Sequence, residues 1–200
     1  TISCEDFEGW NIDKKNPSAV PPSFLLTSAQ KNIFLRMTSA SVNYNIFKQF
    51  SQYWTATTYA DEANYDLRQR DVSGNFYTYL YRDVLNDLNE AKRIIAEDEI
   101  MSANDKAIQT SVLDLMMVYT YHVLVDTYGD TPYTEALDIN ILNPKYDDDA
   151  AVYDAIIMNL DAAIAKIDVT ESGFDGGADL VYNGNSSNWK KLGNSLKLRM

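Results

Sequence analysis

From Leu115 to Val125 the sequence contains no Asp, Glu, Lys or Arg, inside a longer helical pattern that opens at Ser102 and runs to about Tyr128. A helix that is apolar on nearly every side must be surrounded by other elements, so this segment predicts the centre of a helical domain. Gly129 ends the pattern and Pro132 prevents its resumption.

The flanking segments supply candidate partners. Leu26, Ala29, Ile33 and Met37 recur at three- and four-residue steps after Pro21-Pro22-Ser23, which predicts a helix over about 23–38. Ile46, Phe47, Phe50, Tyr53 and Trp54 predict a second, over about 43–55. Periodicity then lapses from Thr55 to Val72, a polar and aromatic stretch too long for a tight turn and the longest candidate for a functional loop. From Ser73 to about Asp98, Leu80, Tyr81, Val84, Leu88, Ala91 and Ile95 form one stripe opposite Arg82, Asn86, Glu90 and Arg93. Asp147, Asp148 and Asp149 precede a fifth helix, to about Ile167, and acidic residues suit a helix start. After a Gly-rich loop, a sixth helix over 186–200 has no stop signal before Met200.

No βαβ alternation and no period-2 run appears, so the expected class is all-α. The pairs 73–128 and 149–200 follow one another like helical-hairpin repeats, and Trp189-x-x-Leu192-Gly193-x-x-Leu196 matches the opening of a tetratricopeptide repeat. There, Gly193 lets a neighbouring helix approach while Trp189 and Leu196 fill the gap. The expected organisation is an extended arm over residues 1–22, marked by Pro17, Pro21 and Pro22, followed by one helical domain over 23–200.

Composition narrows the function. With 17 Lys+Arg against 29 Asp+Glu, the net charge of −12 repels phosphate backbones, so no nucleic-acid partner is expected. One His and one Cys allow neither a His cluster for a metal nor an internal disulfide. Cys4 itself reads either as an incidental thiol or as the first residue of a chain cleaved after the small Ser3 and then acylated on sulfur.

Several segments, in order along the whole chain, carry a resemblance. They are Cys4 with the acidic residues behind it, Asn11 to Pro17, Gln52-Tyr53-Trp54-Thr55-Ala56 running into Tyr59-Ala60-Asp61-Glu62, and Trp189 to Met200. The most specific is Asp126-Thr127-Tyr128-Gly129-Asp130-Thr131-Pro132-Tyr133. The chain resembles the SusD/RagB family, nutrient-binding outer-membrane lipoproteins of Bacteroidetes with a tetratricopeptide-like all-α fold. The resemblance implies that Cys4 carries the lipid anchor and that the protein faces the cell surface. It also implies capture of an oligosaccharide, which passes to a TonB-dependent transporter of the SusC kind without chemistry of its own. Members of the family are longer, so the chain reads as the N-terminal part of one. A peptide nutrient, as in RagB-like members, and a tetratricopeptide-type adaptor that binds only another protein remain alternatives.

The candidate ligand-binding residues are Trp54, Tyr59, Asn64, Tyr65 and Arg68. Sugars offer flat C–H faces to aromatic rings and hydroxyls to amides and charged groups, and the 53–71 segment supplies this mixture. For Trp54 and Tyr59 the preferred reading is that they are buried anchors of the loop, which leaves Asn64, Tyr65 and Arg68 as the better candidates for contact. Asp61-Glu62 reads as a solvated pair or a helix cap rather than a catalytic couple, because adjacent loop positions do not control carboxylate separation. His122 reads as a hydrogen-bonded core residue. A calcium site among Asp126, Asp130 and Asp147–Asp149 is conceivable, but the reading preferred is that these residues tie and cap helix ends, since no EF-hand spacing is present. No cofactor and no metal are expected. Tyr77, Tyr79, Tyr81, Tyr119, Tyr121 and Tyr128 read as packing residues.

Overall fold

The computed structural model describes residues 20–200. The N-terminal arm and Cys4 therefore lie outside the described residues, apart from the last three arm positions. Among the described residues the regular elements are helical: α1 (Pro22–Thr38), a short α2 (Phe47–Phe50), α3 (Val72–Tyr79), α4 (Asn86–Glu97), α5 (Ala103–Tyr128), α6 (Asp149–Lys166) and α7 (Ser186–Arg199). The all-α class is thus the observed one. No described helix is long and apolar enough to cross a membrane.

α5 is the central element that its uncharged stretch predicts. It packs against α4, α6 and α7, and Leu113, Leu115, Met116 and Leu124 are fully enclosed. Ser102 caps its start by accepting from the Asp105 amide at 3.1 Å. Gly129 ends it at φ 74°, a conformation that costs a side-chain-bearing residue energy.

α3 and α4 form one continuous helix interrupted by a π-helical segment at Leu80–Leu85. The wider turn admits an extra residue, and this is why Val84 and Leu85, adjacent in sequence, are both buried. The simple 3.6-residue stripe does not foresee it.

The expected helix over 43–55 is the main correction, since only Phe47–Phe50 is helical. The cause is Asn45. Its amide nitrogen donates to the carbonyls of Arg36 and Met37 at 3.0 and 2.9 Å, and its oxygen accepts from the Phe47 amide at 2.9 Å. One side chain closes the end of α1 and starts the next turn, fixing a corner. Arg36 completes that corner from inside, its guanidinium 3.2 Å from the Tyr79 ring centroid and 4.2 Å from that of Tyr44.

At the other end of the chain, Asp179 gathers the loop before α7. Its carboxylate accepts from Gln30 Nε2 (2.9 Å), Trp189 Nε1 (2.7 Å) and the amides of Val181, Tyr182 and Gly184 (3.0–3.2 Å). Gln30 returns a bond from its oxygen to the Leu180 amide at 2.8 Å, and Thr27 donates to the Ala178 carbonyl at 2.7 Å. α1 is thereby fastened to a loop about 150 residues away.

Gly193 has the role its motif suggests. A Cβ built there would lie 2.7 Å from Ile164 Cγ1 and 3.1 Å from Leu115 Cδ2, while Trp189 is buried beside it. Gly193→Val should cost about 1–3 kcal/mol through overpacking, read from the denaturant midpoint. A neutral or stabilising substitution would contradict the close approach of α5, α6 and α7.

Candidate functional site

The corner at Asn45 launches the segment that carries the sequence candidates. Between Phe50 and Asp71 the backbone is a series of bends and turns around a 3-10 turn at Glu62–Asn64, and Gln52, Tyr59 and Tyr65 adopt positive φ of 59°, 53° and 62°. Non-glycine residues in that region need tertiary support. The support comes from inside. Glu62, 1% exposed, forms an ion pair with Arg70, which also reaches the Asn43 side chain at 3.4 Å and lies 5.9 Å from the Tyr59 ring centroid. Asp61-Glu62 is therefore not a solvated pair, because Glu62 is the inward strut of the loop. Its Oε1, like Gln49 Oε1, is buried with no hydrogen-bond partner among the described residues.

Asn64, Tyr65 and Arg68 come together, lining one shallow depression with Asp66 and Leu67. Tyr65 is 54% exposed, yet its hydroxyl donates to the Phe50 carbonyl at 2.9 Å and accepts from Gln52 Nε2 at 3.2 Å. The ring is thus held against Phe50, centroids 5.2 Å apart and planes tilted by 39°. The Arg68 side chain is 86% exposed and grips Asp66 through two bonds of 3.0 and 2.9 Å. That contact holds the Asp66 carboxyl below its ordinary value.

Trp54 and Tyr59 do not join this depression. Trp54 is 49% exposed with Lys48 Nζ 4.8 Å from its ring centroid, and Tyr59 is 80% exposed. Neither is the buried anchor that the sequence reading prefers. Both rings are accessible to solvent, each with a cation over one face, Lys48 on Trp54 and Arg70 on Tyr59. Beneath the segment a cavity of about 340 Å³ is walled by Phe47, Phe50, Leu67, Phe76 and Tyr128. Sequence reasoning found the rings and missed Lys48, Glu62 and Arg70 as their supports. Their charge pattern gives no hint of which partners fold together.

The remaining polar candidates are structural. His122 is buried, with Nε2 3.2 Å from Asp126, and burial lowers its pKa against the opposing pull of that carboxylate. Asp126 thus pairs one turn back instead of tying the helix to its loop. Asp130 accepts from the Asp149 amide at 3.1 Å and so ties the end of α5 to the start of α6, not to the loop, and Asp148 caps α6 through the Ala151 amide. Asp147 holds the 131–134 loop, accepting from the amides of Tyr133 and Thr134. The carboxylates of Asp130, Asp148 and Asp149 lie within 4.8 Å of one another on the surface, and capping accounts for Asp130 and Asp148. Among the tyrosines, Tyr81 donates to the Pro132 carbonyl and Tyr128 to that of Ser73, as packing residues with anchored hydroxyls.

A hairpin-built helical scaffold that displays aromatic rings beside amides and paired charges has the form of a binding protein. Residues 14–200 match the SusD-like family described as starch-binding and associating with the outer membrane, and the chain belongs to that family. Its members bind ligands and are not enzymes. A solved chitin-binding protein is similar at 25% identity and TM-score 0.69, covering 89% of this chain. A SusD/RagB family protein from Bacteroides thetaiotaomicron is similar at 21% identity and TM-score 0.70, covering 90% of it. The chain spans about 38% of the length of each of these two structures. No curated protein matches it.

Because Arg70 neutralises a buried carboxylate, Arg70→Ala should release the 59–66 loop while the helical core persists. Hydrogen exchange of those amides should quicken by about tenfold or more, the equivalent of one charged hydrogen bond. Unchanged exchange would show that the loop is held otherwise.

Proposed function

We propose that the protein is a surface nutrient binder that captures an oligosaccharide on the 53–71 face and hands it to a TonB-dependent, SusC-like transporter. One observation carries this reading. Trp54, Tyr59 and Tyr65 are exposed on a loop whose unusual backbone is braced from within, and Asn64 and Arg68 stand beside Tyr65. Exposing large rings costs solvation free energy that a binding partner recovers. The mixture of ring faces with amide and guanidinium groups suits the alternating C–H faces and hydroxyls of a sugar chain. Family membership supports outer-membrane association, and the similar chitin-binding protein makes an amino-sugar polymer a natural first probe. Cys4 is proposed as the lipidated residue, a modification that mass spectrometry of the membrane-extracted protein reads directly.

Tyr65→Ala and Arg68→Ala should each weaken oligosaccharide binding by about tenfold in calorimetric titrations of the intact protein, the scale of one lost stacking or charged contact. Melting should stay near the parent value, because both side chains lie outside the core. Parent-like affinity for a bound oligosaccharide in both variants would remove the face from the binding site.

A further inference from the structure

The cavity of about 340 Å³ beneath the 53–71 segment falls within the range of about 300–1,000 Å³ in which small ligands are enclosed. Its lining is largely aromatic. Tyr44, Phe47 and Phe50 reach it from the corner after α1, Phe76 from α3 and Tyr128 from the end of α5. Phe47 and Phe76 stand edge to face, with centroids 5.5 Å apart and planes at 87°, so the two rings form adjoining walls. Tyr44 already holds one cation, the buried Arg36 guanidinium 4.2 Å from its ring centroid.

The charge at this cavity is negative. Asp126 lines it with a half-exposed carboxylate, and no Lys or Arg shares the lining. His122, the partner of Asp126 at 3.2 Å, is held toward its neutral form by burial, so the carboxylate keeps its charge. Asp71, which caps α3 through the Gly74 amide at 2.8 Å, adds a second negative charge near Tyr128. Arg36 does not answer these charges, being committed to the rings of Tyr44 and Tyr79.

Rings beside a carboxylate attract cations, and the lining decides which kind. A bare ammonium needs hydrogen-bond acceptors in place of its water, and phenyl walls supply none. A methylated ammonium spreads its charge over a C–H surface that aromatic rings accept at small desolvation cost. We propose that this cavity binds a free quaternary ammonium compound of the choline kind, with its methyl groups among Phe47, Phe50, Phe76 and Tyr128 and its charge facing Asp126. A phosphocholine lipid headgroup suits the site less well, because its phosphate would approach Asp126 and Asp71. The site adjoins the oligosaccharide face only through Leu67 and does not depend on that reading.

The test is a titration of the intact, isotope-labelled protein with choline and with tetramethylammonium at millimolar concentrations. Both should shift the amide resonances of residues 44–50 and 72–76. Each should bind about tenfold more tightly than ethanolamine, which lacks the methyl groups, and than the uncharged alcohol in which a carbon replaces the choline nitrogen. Phe47→Leu, which keeps an apolar wall and removes a ring, and Asp126→Asn, which keeps the shape and removes the charge, should each weaken choline binding by about tenfold. Phosphatidylcholine vesicles should cause none of these shifts. Absence of shifts with both cations, equal affinity for the uncharged alcohol, parent affinity in both variants, or binding to the vesicles alone would each overturn the proposal. The comparison of choline with its uncharged counterpart uses the parent protein, so it stands even where a variant fails to fold. Failure of oligosaccharide binding at the 53–71 face would leave these results untouched, so the two readings fail separately.

Discussion

The buried carboxylate of Asp179 is the constraint on which the rest of the arrangement depends. A charge taken out of water is tolerable only when its lone pairs are filled, and here two side-chain donors and three backbone amides fill them. The donors come from α1, the loop itself and α7. Satisfying one charge therefore brings together the first helix, a long glycine-containing loop and the Trp189 end of the last hairpin. Gly184, at φ 77°, lets its amide join the cluster, and a Cβ there would lie 2.3 Å from the Phe174 carbonyl oxygen.

The consequences run along α1 to the opposite end of the molecule. With its middle fastened at Gln30 and Thr27, α1 delivers Arg36 between the rings of Tyr44 and Tyr79 and offers its last carbonyls to Asn45. That corner sets the direction of Phe47–Phe50, and the Phe50 carbonyl in turn anchors the Tyr65 hydroxyl. Exposed rings can be held at fixed angles only from such a base, because a free loop would pay conformational entropy on meeting a ligand. The Glu62 and Arg70 pair fixes the far side of the same loop.

Much of this scaffold is legible in the sequence. The uncharged run of α5, the stripes of α1, α4 and α6, and the Trp189 and Gly193 spacing all follow local periodicity, which packing then obeys. Local reasoning fails where one side chain serves two distant places. Asn45 turns an apparently amphipathic stretch into a corner, because its amide is worth more on the open end of α1 than inside a helix. The extra residue of the π-helical segment leaves the stripe recognisable and shifts its register. Asp179 and Gln30 carry no local signal at all, being ordinary polar residues until folding joins them. At the candidate site, the rings of Trp54, Tyr59 and Tyr65 announce themselves by residue type, whereas their inward support by Glu62 does not.

The direct test of this account is the pH dependence of stability in the parent protein and in Asp179→Asn. Burial alone would raise the Asp179 pKa, but the bonds from Trp189, Gln30 and the loop amides outweigh it and hold the value below the ordinary 3.8. A carboxyl with a depressed folded pKa contributes stability that is fully present above its unfolded value and is lost as pH falls through the folded one. Asp179→Asn places an amide donor among donors and should be less stable at neutral pH by about 3 kcal/mol. The gap between the two proteins should hold from neutrality down to about pH 4 and shrink below it. Equal stability at neutral pH, or a gap that does not change in acid, would contradict the claim that this one carboxylate ties the two ends of the fold together.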